Sequence, residues 1–202
     1  TFIEGDLVNI DEIKSVFESY NIDVVIHLAG LKSVSESVMN PLLYYQNNIF
    51  GSVNLLHVMN EAKVKKIVFS SSATIYGDPK NLPIKESHPP NPKNTYGTTK
   101  LIVENIISSL CDKKHEFFAV SLRYFNPIGA DPSFTLGEFI NKNQNNLMPI
   151  INLNAFGHQK KFEIFGNDFD SKDGYAKRDF IHITDLAKAH ISSIEYLTKQ
   201  TD

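Results

Sequence analysis

Arginine is nearly missing from this chain: of its 20 basic residues only Arg123 and Arg178 are arginine. Each of the two therefore needs a reason of its own. Cysteine is scarcer still. With Cys111 alone no intramolecular disulfide can form, and the chain is expected to work in a reducing compartment, the cytoplasm. No apolar run approaches the roughly 18 residues of a membrane span. The opening Thr1-Phe2-Ile3-Glu4-Gly5-Asp6 lacks the basic-then-apolar order of a signal peptide and reads as a chain that starts inside a fold. A net charge of −3 excludes broad attraction to nucleic acid or acidic membranes, and neither is expected as a partner. The histidines show no metal-ligand spacing, so no metal site is expected.

What is present is an alternation of strands and helices. Its 202 residues, 42% apolar and 21% charged, suffice for one domain and part of another. Val24 to Ala29, Ile67 to Ser72 and Ala119 to Phe125 are short apolar runs of the buried parallel kind. A first helix, capped by Asp11, is expected to run to about Tyr20. Longer helices are expected over about Pro41–Ala62 and Tyr96–Asp112, the latter with Leu101, Ile102, Ile106 and Leu110 at helical spacing. This β-α-β-α-β order predicts a parallel sheet with helices on its faces and ligands at the carboxyl ends of the strands, near Gly30, Ser72 and Tyr124. From Ala130 to Gly174 the alternation stops. A smaller lobe is expected there, with one helix over Met148–Phe156 and a loop at Asn141–Asn146. Phe180 to Ile183 then reads as a strand. A last helix, Leu186–Leu197, is expected to be capped by Thr184 or Asp185.

Tyr96 and Lys100 form a Y-x-x-x-K pair, and positions i and i+4 share one helix face. A free tyrosine, with a pKa near 10, is a poor base, whereas a nearby ammonium favours the phenolate. Alone, the pair is as readily a surface-helix pair as a base with its cation. Tyr76 and Lys80 repeat the spacing across Gly77 and Pro79, where no helix can run. His27, within a buried strand, reads as a core histidine, and Arg123 and Tyr124 as structural.

Context adds to the pair. Ser70-Ser71-Ser72 ends a strand about two dozen residues before Tyr96. Upstream stand Leu28-Ala29-Gly30-Leu31-Lys32-Ser33-Val34-Ser35-Glu36-Ser37 and Tyr44-Tyr45-Gln46-Asn47-Asn48. Ser72-Ala73-Thr74-Ile75-Tyr76-Gly77, Leu122-Arg123-Tyr124-Phe125-Asn126-Pro127, Asn145-Asn146-Leu147-Met148-Pro149, Ile164-Phe165-Gly166-Asn167-Asp168 and Arg178-Asp179-Phe180-Ile181-His182 follow in order. Over nearly all its length the chain resembles the UDP-glucose 4-epimerase family of extended short-chain dehydrogenases/reductases. The resemblance implies an α/β, Rossmann-like doubly wound parallel sheet, incomplete because its first two strands are absent, with part of a smaller substrate-binding lobe. It implies a partial NAD-binding domain over 1–129, part of the substrate lobe over 130–178, and a strand and helix returning over 179–202. It implies NAD as cofactor and UDP-glucose and UDP-galactose as substrates, epimerised at C4 through a 4-keto sugar. Tyr96 would be the base for the sugar 4-hydroxyl. Ser72 would hydrogen-bond that hydroxyl, and Lys100 would bind the nicotinamide ribose and tune Tyr96. Asp6 and Leu7 would sit at the adenine end of NAD. Leu28, Ala29, Gly30 and Lys32 would line it, with Asn47 and Phe125 near. Asn126, Asn146, Leu147 and Phe165 would hold the nucleotide-sugar, and Arg178 would grip the diphosphate, for which a guanidinium fork is suited.

The chain departs from the family pattern in places. No G-x-x-G-x-x-G loop follows a strand here. In the family that loop lies upstream of the point matching Thr1, and the family continues past Asp202, so the chain alone is expected not to bind NAD measurably, to be inactive and to be poorly soluble. Phe2–Glu4, the family's third strand, is expected detached from the sheet or in another position. Tyr175 stands where the family usually has Thr. A 4,6-dehydratase of the same superfamily would carry Asp-Glu where this chain has Ala73-Thr74, and a non-catalytic module would not need Ser72, Tyr96 and Lys100. The family's dimers pair two long helices from each copy, so a homodimer is expected, with Leu55, Val58, Ile102 and Ile106 as its apolar contribution.

Overall fold

A computed structural model of the chain describes residues 1–79, 81–112, 114–138, 146–158, 161–164 and 166–200. Lys80 of the second Tyr-Lys pair, Asn141–Asn145 and Phe165 lie outside the described residues. No helix among the described residues is long and apolar enough to cross a membrane. The chain divides into two compact units, Thr1–Tyr124 with Ala189–Asp202, and Phe125–Lys188.

The first unit is a parallel α/β arrangement, as expected. Helix α1 (Ile10–Ser19) leads to β1 (Val25–His27), α2 (Val34–Met39) and α3 (Pro41–Tyr44). A π-helical turn (Tyr45–Phe50) continues directly into α4 (Gly51–Glu61). Strand β2 (Lys66–Ser70), a 3-10 turn (Ala73–Tyr76), α5 (Thr95–Leu110) and β3 (Phe118–Leu122) follow. The strands form one parallel sheet in the order β1-β2-β3, with Val25 opposite Ile67 and Ile67 opposite Ala119. On one face of β2, Ile67 and Phe69 are buried with Ile13 of α1, Leu55, Leu56, Val58 and Met59 of α4, and Val103 and Ile107 of α5. Val68, pointing the other way in the pleat, is fully buried as well. Burial on both faces explains why β2 is a continuous apolar run.

Several expectations are corrected. The cap of α1 is Asn9, whose side chain accepts from the Asp11 backbone N–H at 3.2 Å; Asp11 itself lies in the first turn. The helix expected over Pro41–Ala62 is interrupted by the π turn, where the Ser52 hydroxyl bonds back to the Asn48 carbonyl at 2.5 Å. Strand β3 stops at Leu122, well short of Phe125, and Asn126 begins a separate strand. Leu55 and Val58, assigned to a dimer face, are 6% and 2% exposed within this chain's own core. Val38, Met39, Leu42 and Phe50, on α2, α3 and the π turn, are among the exposed apolar side chains. Phe2–Glu4 pairs with no described strand, which is the detached arrangement expected for it, and β1 is an edge.

The second unit holds β4 (Asn126–Ile128), α6 (Leu147–Ala155), β5 (Phe180–His182) and the start of α7 (Ile183–Thr198). Strands β4 and β5 pair in parallel, Asn126 opposite Phe180. Helix α7 begins at Ile183, ahead of the expected caps. The capping acceptor is the His182 ring, whose Nδ1 takes the Thr184 N–H at 3.2 Å and bonds the Thr184 hydroxyl at 2.8 Å.

Ile107 carries α5 into the core at 2% exposure. Ile107→Ala should therefore lower the unfolding free energy by roughly 2–5 kcal/mol, as a lost transfer term plus a cavity. Urea denaturation checks this, and a loss well under 1 kcal/mol would contradict the packing described.

Candidate functional site

The carboxyl end of β2 delivers three serines. Ser70 is the last strand residue, and its hydroxyl bonds the Tyr124 phenol. Ser71 donates its hydroxyl to Glu104. Ser72 turns the chain: its Oγ accepts from the Thr74 N–H at 3.2 Å and the Thr74 hydroxyl at 2.9 Å, capping the 3-10 turn. Helix α5 starts behind its cap Asn94, whose side chain accepts from the Gly97 N–H at 2.8 Å. Gly97 lets the helix come close: a Cβ there would stand 2.9 Å from the Thr74 carbonyl oxygen. The Tyr96 N–H donates to Ser37 of α2 at 3.2 Å, which fixes the first turn further.

On this helix Tyr96 and Lys100 face the serines, as their spacing predicts. Lys100 is 5% exposed and donates from Nζ to the Ser70 carbonyl at 2.7 Å, with its ammonium 4.9 Å from the Phe69 ring centroid. Burial lowers its pKa to about 8. Burial raises the pKa of Tyr96, and the Ser72 side chain pulls it down. The Lys100 ammonium, 5.9 Å from the Tyr96 ring centroid, is engaged by the Ser70 carbonyl.

Five of the residues assigned to the cofactor line one cavity. Asp6, Leu7, Ala29, Gly30 and Asn47, with Gly5, line a cavity of about 220 Å³. Glu12 holds the Asp6 N–H at 2.7 Å, and Asn54 on α4 donates to the Leu7 carbonyl at 3.0 Å. Gly30 has φ +155°, and a Cβ there would lie 3.2 Å from Asn48 Oδ1 and 3.8 Å from Lys100 Nζ. Bare backbone thus faces the cavity next to the buried ammonium, a cradle of the kind that lets a planar or phosphorylated ligand approach the chain closely. Leu28, 59% exposed, and Lys32, also exposed, flank it.

The second unit carries the remaining assignments. Asn126 begins β4 and donates from its amide to the Asp179 carbonyl at 3.3 Å, one residue beyond Arg178. Arg178 is exposed and donates to the Lys177 carbonyl at 2.7 Å. Asn146 is the N-cap of α6, makes no side-chain cap bond, and is followed by the exposed Leu147. Phe125 is 41% exposed.

Sequence reasoning missed three contributors. The Thr74 hydroxyl bonds the proposed site serine directly. Asn48 accepts from the Leu31 N–H at 2.8 Å and donates to the Leu31 carbonyl and to Thr99, tying the Gly30 turn to α5. Glu104 takes the Ser71 hydroxyl and a forked pair of bonds from Arg123. Only Glu104 had a signal, its place four residues after Lys100. His27 is 2% exposed. The Ser52 hydroxyl donates to the Asn48 carbonyl, so His27 must donate from Nε2, at 2.7 Å, and keeps a bare Nδ1 without a partner. Burial first, and the Lys100 charge second, lower its pKa to about 4.

Comparison with known proteins bears on this geometry. The sequence profile of the NAD dependent epimerase/dehydratase family matches residues 1–201. The chain is 50% identical over 196 residues to a UDP-glucose 4-epimerase of Dictyostelium discoideum, covering 97% of this chain and 57% of that protein. It is 47% identical over 201 residues to the UDP-glucose 4-epimerase of Bacillus subtilis, covering 100% of this chain and 59% of that one. A crystal structure of UDP-glucose 4-epimerase from Bifidobacterium longum, in complex with NAD+ and UDP, superposes with a TM-score of 0.91 at 45% identity, covering 96% of this chain and 58% of that chain. The chain thus spans somewhat over half the length of the relatives it matches.

The folded-state pKa of His27, about 4, lies below its ordinary 6.5. Between those values the unfolded chain binds a proton that the folded chain refuses, so this group's contribution to stability falls as pH drops from 6.5 towards 4. Urea midpoints measured from pH 7 to 4.5 should decline, and His27→Phe should flatten that decline. An equal slope in both proteins would contradict the buried neutral imidazole.

Proposed function

This chain belongs to the NAD dependent epimerase/dehydratase family, and on that premise we propose that the protein it forms part of interconverts UDP-glucose and UDP-galactose by inverting C4, with NAD as its cofactor. The observation that carries the reading is the single cluster of Ser72, Tyr96 and Lys100 beside the open backbone of Gly30. The residues fit the cofactor: the cavity at Asp6, Leu7, Ala29, Gly30 and Asn47 suits a dinucleotide segment, and Lys100 reaches the same backbone. NAD held there would supply the acceptor for the hydride of the sugar C4 and the source of its return to the opposite face.

The chain's own residues handle the proton and the orientation. Tyr96 accepts the 4-hydroxyl proton and later returns it. Ser72 holds the same oxygen and, by hydrogen-bonding the phenol, offsets part of the burial that disfavours its ionised form. Lys100 binds the nicotinamide ribose and tunes Tyr96 towards its ionised form, with Leu28, Lys32 and Phe125 about the cofactor. Arg178 grips the diphosphate, and Asn126, Asn146, Leu147 and Phe165 hold the nucleotide. Firm contacts on the nucleotide and few on the sugar leave the 4-keto ring able to turn. A dehydratase would need acids after Ser72. Ala73 and Thr74 stand there, and Thr74 spends its hydroxyl on Ser72.

Tyr96→Phe in the intact protein should reduce turnover about a hundredfold or more, as loss of a general base does. Near-normal turnover would remove Tyr96 from that role. Products of UDP-glucose should retain their full mass; a product lighter by one water would favour elimination instead.

We also propose a cytoplasmic homodimer. The apolar surface of Val38, Met39, Leu42 and Phe50, 60%, 78%, 81% and 50% exposed, supports a helix-mediated contact with a second copy. Sedimentation of the intact protein should give a dimer, and Leu42→Asp with Met39→Asp should shift it to monomer. A wild-type monomer at micromolar concentration would refute the pairing.

A further inference from the structure

Three residues stand four apart on α5, where the helix lies against the serines that end β2. Lys100 holds the Ser70 carbonyl, Glu104 takes the Ser71 hydroxyl, and the Ser72 side chain pulls down the pKa of Tyr96. The spacing places all three on one face of the helix. The proposed chemistry uses the first two and leaves Glu104 without a task.

Glu104 is 8% exposed, and a carboxylate so buried is costly unless it is paired. Arg123, one of the two arginines, supplies the pair through a fork: Nη2 lies 2.6 Å from Oε2, and Nε lies 3.0 and 3.1 Å from the two oxygens. The same guanidinium donates from Nη1 to the Tyr76 hydroxyl at 2.9 Å and to the Glu86 carbonyl at 3.2 Å. Tyr76 closes the 3-10 turn that Ser72 caps. The pair therefore grips the chain on both sides of Ser72, at Ser71 through Glu104 and at Tyr76 through Arg123. A lysine at 123 could not make the fork and reach Tyr76 together.

We propose that Glu104, neutralised by Arg123, is a positioning residue that fixes Ser72 against Tyr96; this rests on the reading of Ser72 and Tyr96 as the pair acting on the sugar hydroxyl. Without the Glu104 contact the serine row shifts along α5, Ser72 moves relative to Tyr96, and the reacting geometry loosens. Misplacement on the scale of an ångström costs a rate factor of up to about a hundred.

The test uses the intact protein labelled with carbon-13 at the tyrosine Cζ positions, the Tyr96 signal being assigned by its loss in Tyr96→Phe. Ser71→Ala and Glu104→Gln should each move that signal towards its position in Ser72→Ala. Each should also lower kcat about tenfold or more with KM within about twofold, the pattern of an interaction made in the transition state. Val103→Ala, a core truncation on the same helix, should reduce stability and leave the Tyr96 signal in place. If Glu104→Gln does not fold, Ser71→Ala, which removes one hydroxyl, carries the test. A Tyr96 signal unmoved in the folded variants overturns the proposal, as does a kcat loss no greater than that of Val103→Ala. An intact wild type without epimerase activity overturns the functional reading instead, and the Tyr96 signal then decides the positioning role alone.

Discussion

An ammonium group taken out of water keeps its charge only where oxygen replaces the water, and the Ser70 carbonyl does this for Lys100. At 5% exposure the lysine is committed to that contact, and burial brings its pKa down to about 8. The rest of the first unit follows from the requirement. The first turns of α5 must lie over the carboxyl end of β2, which Gly97 permits by its close approach to Thr74, and backbone must pass beside the ammonium, which Gly30 permits. Phe69 closes the space below. Parallel pairing on both edges of β2 holds the strand end that receives the lysine.

The same commitment bears on the Tyr-Lys pair. Four-residue spacing suggests a cation that lowers the phenol's pKa. In the folded chain the ammonium bonds a carbonyl, and the pKa of Tyr96 is raised by its own burial and pulled down by the Ser72 side chain. Geometry at Ser72 therefore acts on the state of Tyr96 beside the charge of Lys100. That is why the network of Ser71, Glu104, Arg123 and Tyr76 bears on the site although none of the four is assigned to a ligand. The second unit is built differently. Asn126 and Arg178 are exposed and tied to nearby carbonyls by single bonds, which an incoming anion can replace at small cost, whereas the buried serine row has no such freedom.

Much of this was legible in the residues. Apolar runs ending in Gly30 and Ser72 marked the strand ends to within three residues, helical spacing marked α5, and the ordered motifs marked the family. What escaped reading was decided by groups without a sequence signature. Asn9 rather than Asp11 is the cap, its side chain accepting from the first-turn N–H of Asp11 itself. His182 capped α7 through its ring, a role ordinarily sought in Ser, Thr or Asp. Leu55 and Val58 looked available for a partner, yet α4 turns them onto α1 and the sheet.

The sequence by itself determined the parallel α/β class, the family, and which ionisable residues stand near a strand end, because periodicity and residue chemistry are local properties of the chain. Only the tertiary structure decided that Lys100 bonds the Ser70 carbonyl, that the Ser72 side chain acts on Tyr96, and that Glu104 and Arg123 brace the serines. Those outcomes depend on where a backbone oxygen falls when one helix packs on one strand, and a backbone oxygen is the same at every position of a sequence.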